Sequence, residues 1–286
     1  MKLDLDRVKE FGNIDFLARQ LVEGFITGLH KSPYHGFSVE FAEHRLYNTG
    51  ESTRLIDWKV FAKTERLYTK RFEEETNLRC QLVVDNSSSM HYPVPGKGKL
   101  KFSLLAAAAL AYLLQRQRDA VGLCSFAEQI EVTTPIKSTS THLNKIFIQL
   151  QQLANENKEG ARTSVAKVLH EIAEKNKRRS LIVIFSDMFD NEDPEEILKG
   201  LQHLKHNQHE ILLFHISDKH TEFDFDFDDR PHEFIDLESG EKMRLNPSEI
   251  KKTYREQVSS FYHDLKIRCG QLKIDFIPMD IQSDFN

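Results

Sequence analysis

Two carboxylates and three hydroxyls stand where short apolar runs of this chain end. Asp85, Ser87 and Ser89 follow Leu82, Val83 and Val84 in the stretch LVVDNSSSM, and Asp187 closes the run RRSLIVIFSD. Thr163 lies in GARTS, just ahead of a helical pattern that starts near residue 164. All five are hard oxygen donors, with no thiolate and no imidazole among them. Such a set suits Mg²⁺, Mn²⁺ or Ca²⁺ and suits zinc badly. The spacing Asp-x-Ser-x-Ser lets one tight turn aim alternate side chains at a common point, which Thr163 and Asp187 would reach from neighbouring loops. The plainer reading is that Asp85 and the serines only cap the turn and satisfy its backbone donors. The motif is short, and its weight comes from its place after a buried-looking run and before a helix.

Those residues need a scaffold, and the pattern around them supplies one. LRCQLVVD is a nearly continuous apolar run, as a strand buried on both faces requires. KLKFSLLAAAALAYLLQRQ reads as a helix that is apolar all round its middle. DAVGLCSFA and QIEVTTP read as strands, THLNKIFIQLQQLANEN and TSVAKVLHEIAEKNK as amphipathic helices, with Thr163 or Ser164 available as a cap. RRSLIVIFSD is a further buried strand. DPEEILKGLQHLKHN is a helix opened by Asp193 and Pro194, and HEILLFHISD is another strand. Strands alternating with helices of this size predict an α/β fold: a doubly wound, mainly parallel sheet with helices on both faces. Ligands of such sheets bind outside the carboxyl ends of the strands, where the five oxygen donors fall.

The flanks have a different texture. Residues 14–30 carry apolar positions at helical spacing, and the segment from Ser32 to Glu75 reads as short strands and loops with too few free apolar residues for a core of its own. EFIDLESGEKMRL predicts a hairpin turning at Ser239-Gly240, residues 247–268 a helix and LKIDFIPMDI a last strand. The alternation of phenylalanine and aspartate at 222–229 predicts an exposed acidic segment; a calcium loop would need a glycine and a bidentate glutamate at fixed offsets, which are missing. The expected organisation is an N-terminal helix with a small β extension over 1–75, the α/β domain over 76–220 and a C-terminal extension over 221–286.

Composition narrows the function classes. The 286 residues carry a net charge of −5, with none of the basic footprint of a nucleic-acid binder. No run of 18 apolar residues predicts a membrane span, and the N-terminal stretch lacks a signal-peptide apolar core, so cytoplasm is the expected location. Cys80, Cys124 and Cys269 are far apart and read as buried reduced thiols. His203, His206 and His209 read as a solvated helix end. Trp58, the single tryptophan, reads as a packing residue and Asp57 with Arg54 as a structural ion pair.

Strand–DxSxS, then helix, then Thr, then strand–Asp resembles the von Willebrand factor A fold and its metal-ion-dependent adhesion site. The segment ahead of the metal strand, with Arg45, Tyr47, Gly50, Arg54, Asp57 and Trp58, resembles R-x-Y-x-x-G-D-x-x-R-x-I-D-W of the bacterial domain of unknown function 58, and EFIDLESGEKMRLNPSEIKKTY resembles that family's C-terminal region. Glu51 replaces the family's usual Asp. Met188 follows Asp187 where many von Willebrand A domains place Gly, and Asp190 and Asp193 are rival carboxylates to Asp187. The resemblance implies that Ser87, Ser89 and Thr163 meet the metal through hydroxyls and that Asp85 and Asp187 act through bound water. It also implies an open metal position that a partner's carboxylate fills, and a partner among the MoxR-type AAA+ ATPases.

Two function classes follow. The first is a cytoplasmic metal-dependent protein-binding module. The second is a Mg²⁺-dependent phosphatase or hydrolase with Asp85 as nucleophile. That chemistry asks for a second acid two residues on, where this chain has Ser87. The chain holds no G-x-S-x-G elbow and no G-x-x-x-x-G-K-[ST] loop, so neither a serine hydrolase nor an ATPase is expected of it.

Overall fold

The computed structural model describes residues 14, 18, 37–47, 56–76, 78–93, 98–156, 164–188 and 194–283. The chain divides into two compact units, one of residues 29–78 and one of residues 1–28 with 79–286.

In the smaller unit, β1 (Phe37–Leu46) pairs antiparallel with β2 (Tyr68–Thr76), with a bulge between Phe41 and Glu43. Between them lies α1 (Trp58–Thr64). These are long ribbons and a helix where the sequence suggests short strands and loops. Asp57 explains the helix: its Oδ1 accepts from the backbone N–H groups of Lys59 and Val60, at 3.0 and 3.2 Å, which satisfies two donors that a helix start leaves unpaired. Asp57 is thus a cap, and Arg54 lies outside the described residues. Trp58 is 60% exposed and meets Phe61 edge-on, so the packing role expected of it is not what the structure gives.

The larger unit is built on a six-stranded sheet. In chain order its elements are β3 (Arg79–Asp85), α2 (Gly98–Arg116), β4 (Ala120–Phe126), β5 (Ile130–Thr133), α3 (Ser140–Asn155), α4 (Val165–Lys175), β6 (Leu181–Ser186), α5 (Pro194–His206) and β7 (Glu210–Ser217). Then come the hairpin of β8 (His232–Ile235) and β9 (Lys242–Leu245), α6 (Pro247–Gln271) and β10 (Asp275–Asp280). The sheet order is β10-β7-β6-β3-β4-β5, parallel throughout except for the short edge strand β5. From β3 the chain steps outward to β4 and β5, then crosses back to β6 on the other side of β3 before continuing to β7 and β10. The winding reverses between β3 and β6, and a crevice opens at the carboxyl ends of strands at such a point.

The central strands are apolar because both faces are covered. Residues 80–85 and 181–186 are all buried. On one face α4 and α5 pack Val168, Leu169, Ile172, Leu201 and Leu204 against Val83, Ile182 and Ile184, and α6 adds Leu265 and Cys269. Helices α4 and α5 come close at Gly200, where a Cβ would sit 2.9 Å from Leu169 Cβ. Helix α2 is buried along most of its length, as its all-round apolar pattern requires. Each fully buried large side chain, such as Phe102 or Phe185, contributes roughly 1.5–3 kcal/mol relative to leaving it in water. The three cysteines are free and buried. The β8–β9 hairpin turns through Gly240, whose φ of 73° favours glycine. Of the helix expected at 14–30, the described residues Ile14 and Ala18 are helical and buried. Among the described residues no helix is long and apolar enough to cross a membrane.

Candidate functional site

Strand β3 ends in Asp85, at the switch point. The chain then turns tightly: the N–H groups of Met90, His91 and Tyr92 donate to the carbonyls of Ser87, Ser88 and Ser89. That turn brings the Ser87 and Ser89 hydroxyl oxygens to 3.0 Å from each other. Asp85 is fully buried; its Oδ1 accepts from Ser87 N at 2.9 Å and its Oδ2 from Ser186 Oγ at 2.6 Å. Burial pushes its proton affinity up to about 7, with the charge of Asp187 adding to the rise and the bonds from Ser186 and Ser87 opposing it. Behind the turn, Asn86 donates to Glu131 at 3.0 Å and approaches His91, fixing the loop to β5.

From β6, Asp187 follows Ser186 directly and is fully buried. Met188 takes a φ of 54°, a left-handed geometry that costs a residue with a Cβ roughly 1–2 kcal/mol. Its N–H donates to Ser186 Oγ at 2.9 Å, and its side chain is buried. The loop therefore keeps a conformation suited to glycine although the residue is methionine. Thr163, Asp190 and Asp193 lie outside the described residues. Ser164, next to Thr163, is the N-cap residue of α4 without a side-chain cap bond, and its N–H donates to Ala127 O at 3.3 Å.

Four of the five expected donors can thus be placed: Asp85, Ser87, Ser89 and Asp187 gather at the ends of two adjacent strands. Two partners were missed. Lys99, in the first turn of α2, is only 1% exposed, and its Nζ donates to Asp187 Oδ2 at 2.7 Å and to Glu222. Burial alone would lower the lysine's proton affinity, but the charges of Asp187 and Glu222 outweigh it and hold Lys99 above the ordinary lysine range. Burial pushes Glu222 up, and the ammonium pulls it part of the way back. Glu222 sits in a π-helical turn (Lys219–Phe223) after β7, and its other oxygen accepts from Asp218 N at 2.8 Å. The 222–229 segment is therefore not simply exposed and acidic: Asp226 faces water, but Glu222 turns inward and Phe225 is buried against Phe234 and Tyr254. Nor is the expected solvated histidine cluster what forms. His209 is fully buried, accepting from Ser180 N at 3.2 Å, and His203 lies 2.9 Å from the ring nitrogen of His170.

The donors suit a hard divalent cation. Neighbouring ligands of an octahedral Mg²⁺ at 2.0–2.1 Å lie about 3 Å apart, which the Ser87–Ser89 pair matches. Among the described residues no three His, Cys, Asp or Glu side chains are grouped to hold a metal, so such a centre would rest on hydroxyls as much as on carboxylates.

The family described as protein of unknown function DUF58 matches residues 43–263. The chain belongs to the DUF58 family. Uncharacterized proteins of Mycobacterium bovis and Mycobacterium tuberculosis are each 23% identical to it over 205 residues, 72% of this chain and 63% of theirs. This DUF58 chain thus spans less than two thirds of the length of the curated relatives it matches. Solved structures similar to it include the conserved hypothetical protein BatB from Bacteroides thetaiotaomicron, at 12% identity and a TM-score of 0.43, over 71% of this chain and 91% of that one. A von Willebrand factor type A protein from Catenulispora acidiphila is 14% identical with a TM-score of 0.37, over 51% of this chain and 35% of that one. The mainly parallel sheet with helices packed on it is a doubly wound α/β fold, with Asp85, Ser87, Ser89 and Asp187 near its switch point.

Proposed function

We propose that this DUF58 chain is a metal-dependent protein-binding module. The observation that carries the reading is the pair of hydroxyls at 3.0 Å, backed by Asp85 and Asp187 at the sheet's switch point. Ser87, Ser89 and Thr163 would hold Mg²⁺, or Mn²⁺ or Ca²⁺, and Asp85 and Asp187 would act through its bound waters. The metal supplies an electrophilic position for a carboxylate of a partner protein. This chain's residues set the rest. Ser186 and the Ser87 N–H orient Asp85, and Lys99 neutralises Asp187 from the inner side. Ser89, the donor that is only partly buried, marks the outward face. On the resemblance to its family, the partner is a MoxR-type AAA+ ATPase or a client of one, in the cytoplasm.

No enzymatic step is proposed. Asp85, the nucleophile of an aspartyl-phosphate route, is fully buried with both oxygens hydrogen-bonded, and position 87 offers a hydroxyl rather than an acid.

The test is a pull-down with the full chain as bait, in Mg²⁺ and in EDTA, beside the Ser87→Ala/Ser89→Ala double variant. Complexes should form in Mg²⁺ alone and be lost in the double variant, whose circular dichroism should match wild type. A complex that survives both EDTA and the double substitution refutes metal bridging.

A further inference from the structure

A cleft of about 650 Å³ opens beside Ser89. Its floor is Tyr92 with the buried Lys99–Glu222 pair, and its walls are Phe225, Phe227, Phe234 and Tyr254. The β8–β9 hairpin forms its lip. That volume lies in the range of true ligand sites, about 300–1,000 Å³, and exceeds the space of one side chain. The aromatic walls are held by one another: Phe225 stacks on Phe234 with ring centroids 5.6 Å apart and meets Tyr254 at 4.5 Å.

Three features say what would fill it. First, Ser89 lines the cleft, so an occupant adjoins whatever meets the candidate metal centre. Second, the lip exposes apolar surface to water, Ile235 at 49% and Met243 at 64%. Exposed apolar residues gathered beside a groove mark an interaction surface, and a small enclosed ligand would leave them uncovered. Third, the hairpin is acidic there: Asp236, Glu238 and Glu241 line the cleft against Lys242. Asp236 stays ionised, because the Ser239 hydroxyl and the Glu238 N–H, donating to it, hold its proton affinity below the usual carboxylate range.

We propose that this cleft is the second half of the docking surface and takes a partner peptide that carries, beside its metal-seeking carboxylate, a large apolar side chain and then a basic residue. The carboxylate goes to the Ser89 side, the apolar group against the edge-to-face pair of Phe227 and Phe234 at 5.2 Å, and the basic group over the acidic lip. The order of the three groups follows from the order of the surfaces. The proposal rests on the metal-bridging reading for its carboxylate but makes a separate claim about the apolar pocket.

The experiment is fluorescence anisotropy of the full chain with capped fluorescein peptides that hold one Glu, one Phe and one Lys separated by short glycine spacers, in Mg²⁺. At least one spacing should bind. Replacing its Phe by Ala should weaken binding about tenfold, which is what burial of one aromatic side chain supports. Met243→Asp in the protein should do the same without affecting the fold, since that side chain is mostly in water. Replacing the peptide's Lys by Glu should weaken binding several-fold, and less so in high salt. Binding that needs Mg²⁺ yet ignores the peptide's Phe and Met243→Asp overturns the cleft proposal and leaves metal bridging standing. Binding that depends on both but persists in EDTA and in Ser87→Ala/Ser89→Ala upholds the cleft and removes metal bridging. Absence of binding by every spacing at millimolar peptide overturns the cleft proposal.

Discussion

Replacing Lys99 by methionine removes the one buried cation that the described residues bring to the centre, while nearly preserving the side chain's length. Lys99 is 1% exposed and faces two carboxylates, Asp187 at 0% and Glu222 at 14%. Deleting one partner of a buried ion pair costs about 3–5 kcal/mol, because the remaining charge stays desolvated and uncompensated. Methionine fills most of the vacated volume, so a cavity adds little. Without metal at pH 8, Lys99→Met should therefore unfold in urea at a midpoint lower by about 1–3 M. The deficit should shrink toward pH 5. Glu222 already binds its proton more tightly than an ordinary glutamate, and without the ammonium it is protonated in the fold before an unfolded glutamate would be. Mg²⁺ should restore more stability to the variant than to wild type, since a cation binding only the folded state now meets two unneutralised carboxylates. Lys167→Met, at an exposed position of α4, is the control and should move stability by less than about 0.5 kcal/mol. If Lys99→Met in EDTA at pH 8 lies within about 1 kcal/mol of wild type, the claim that Lys99 neutralises the centre is wrong.

Two further predictions concern the sheet and its helices. His215 is buried between Tyr262 and Phe276, and burial lowers its proton affinity to about 4, so its stabilising contribution is present above about 6.5 and is lost as pH falls toward 4. The acid-induced loss from this one group is about 3 kcal/mol, and His215→Phe should flatten urea stability between pH 7 and pH 4.5; an unchanged slope refutes the assignment. At Gly200, Ala should destabilise by about 1–3 kcal/mol through its 2.9 Å approach to Leu169 Cβ, measured by the same urea unfolding, and Gly200→Ala at wild-type stability would show that α4 and α5 part freely.

Asp85, Ser87, Ser89 and Asp187 were legible because they follow strands buried on both faces, and such strands announce themselves as unbroken apolar runs. The strand-end rule then says where to look. Glu222 was open to the same rule, since it follows the run of β7, but phenylalanine–aspartate alternation reads as an exposed acidic segment. Lys99 carried a fainter signal. It sits in a lysine-rich stretch with Lys97 and Lys101, which reads as solvated. Only extending the helical phase of α2 backwards, three residues from Phe102 and four from Ser103, puts it on the buried face. No local pattern states that a carboxylate from β6 and another from beyond β7 wait there; those contacts span 88 and 123 residues. Helix α1 was missed for a related reason. Its sequence is unremarkable as a helix, and reading Asp57 as a partner of Arg54 leaves its capping role unseen.

The internal lysine also bears on which way the centre faces. Burial pushes the proton affinity of Asp85 up to about 7, and repulsion from Asp187 adds to the rise. Lys99 relieves that repulsion from one side only, by way of Asp187 and Glu222. The Ser87 and Ser89 hydroxyls lie 3.0 Å from each other, and Ser89 is at the partly buried face. A lysine that neutralised Asp85 directly would compete with a divalent cation for the same carboxylate. Placed on Asp187 and tied to Glu222, it lowers the charge that the proposed metal would have to balance. The same tie connects the strand-end loops to the aromatic cleft, because Glu222 and Lys99 belong to both. A ligand that disturbs the cleft floor is therefore felt at Asp187 through two hydrogen bonds, so on the proposed reading Mg²⁺ affinity should change when a peptide fills the cleft, and titration calorimetry with and without peptide checks it.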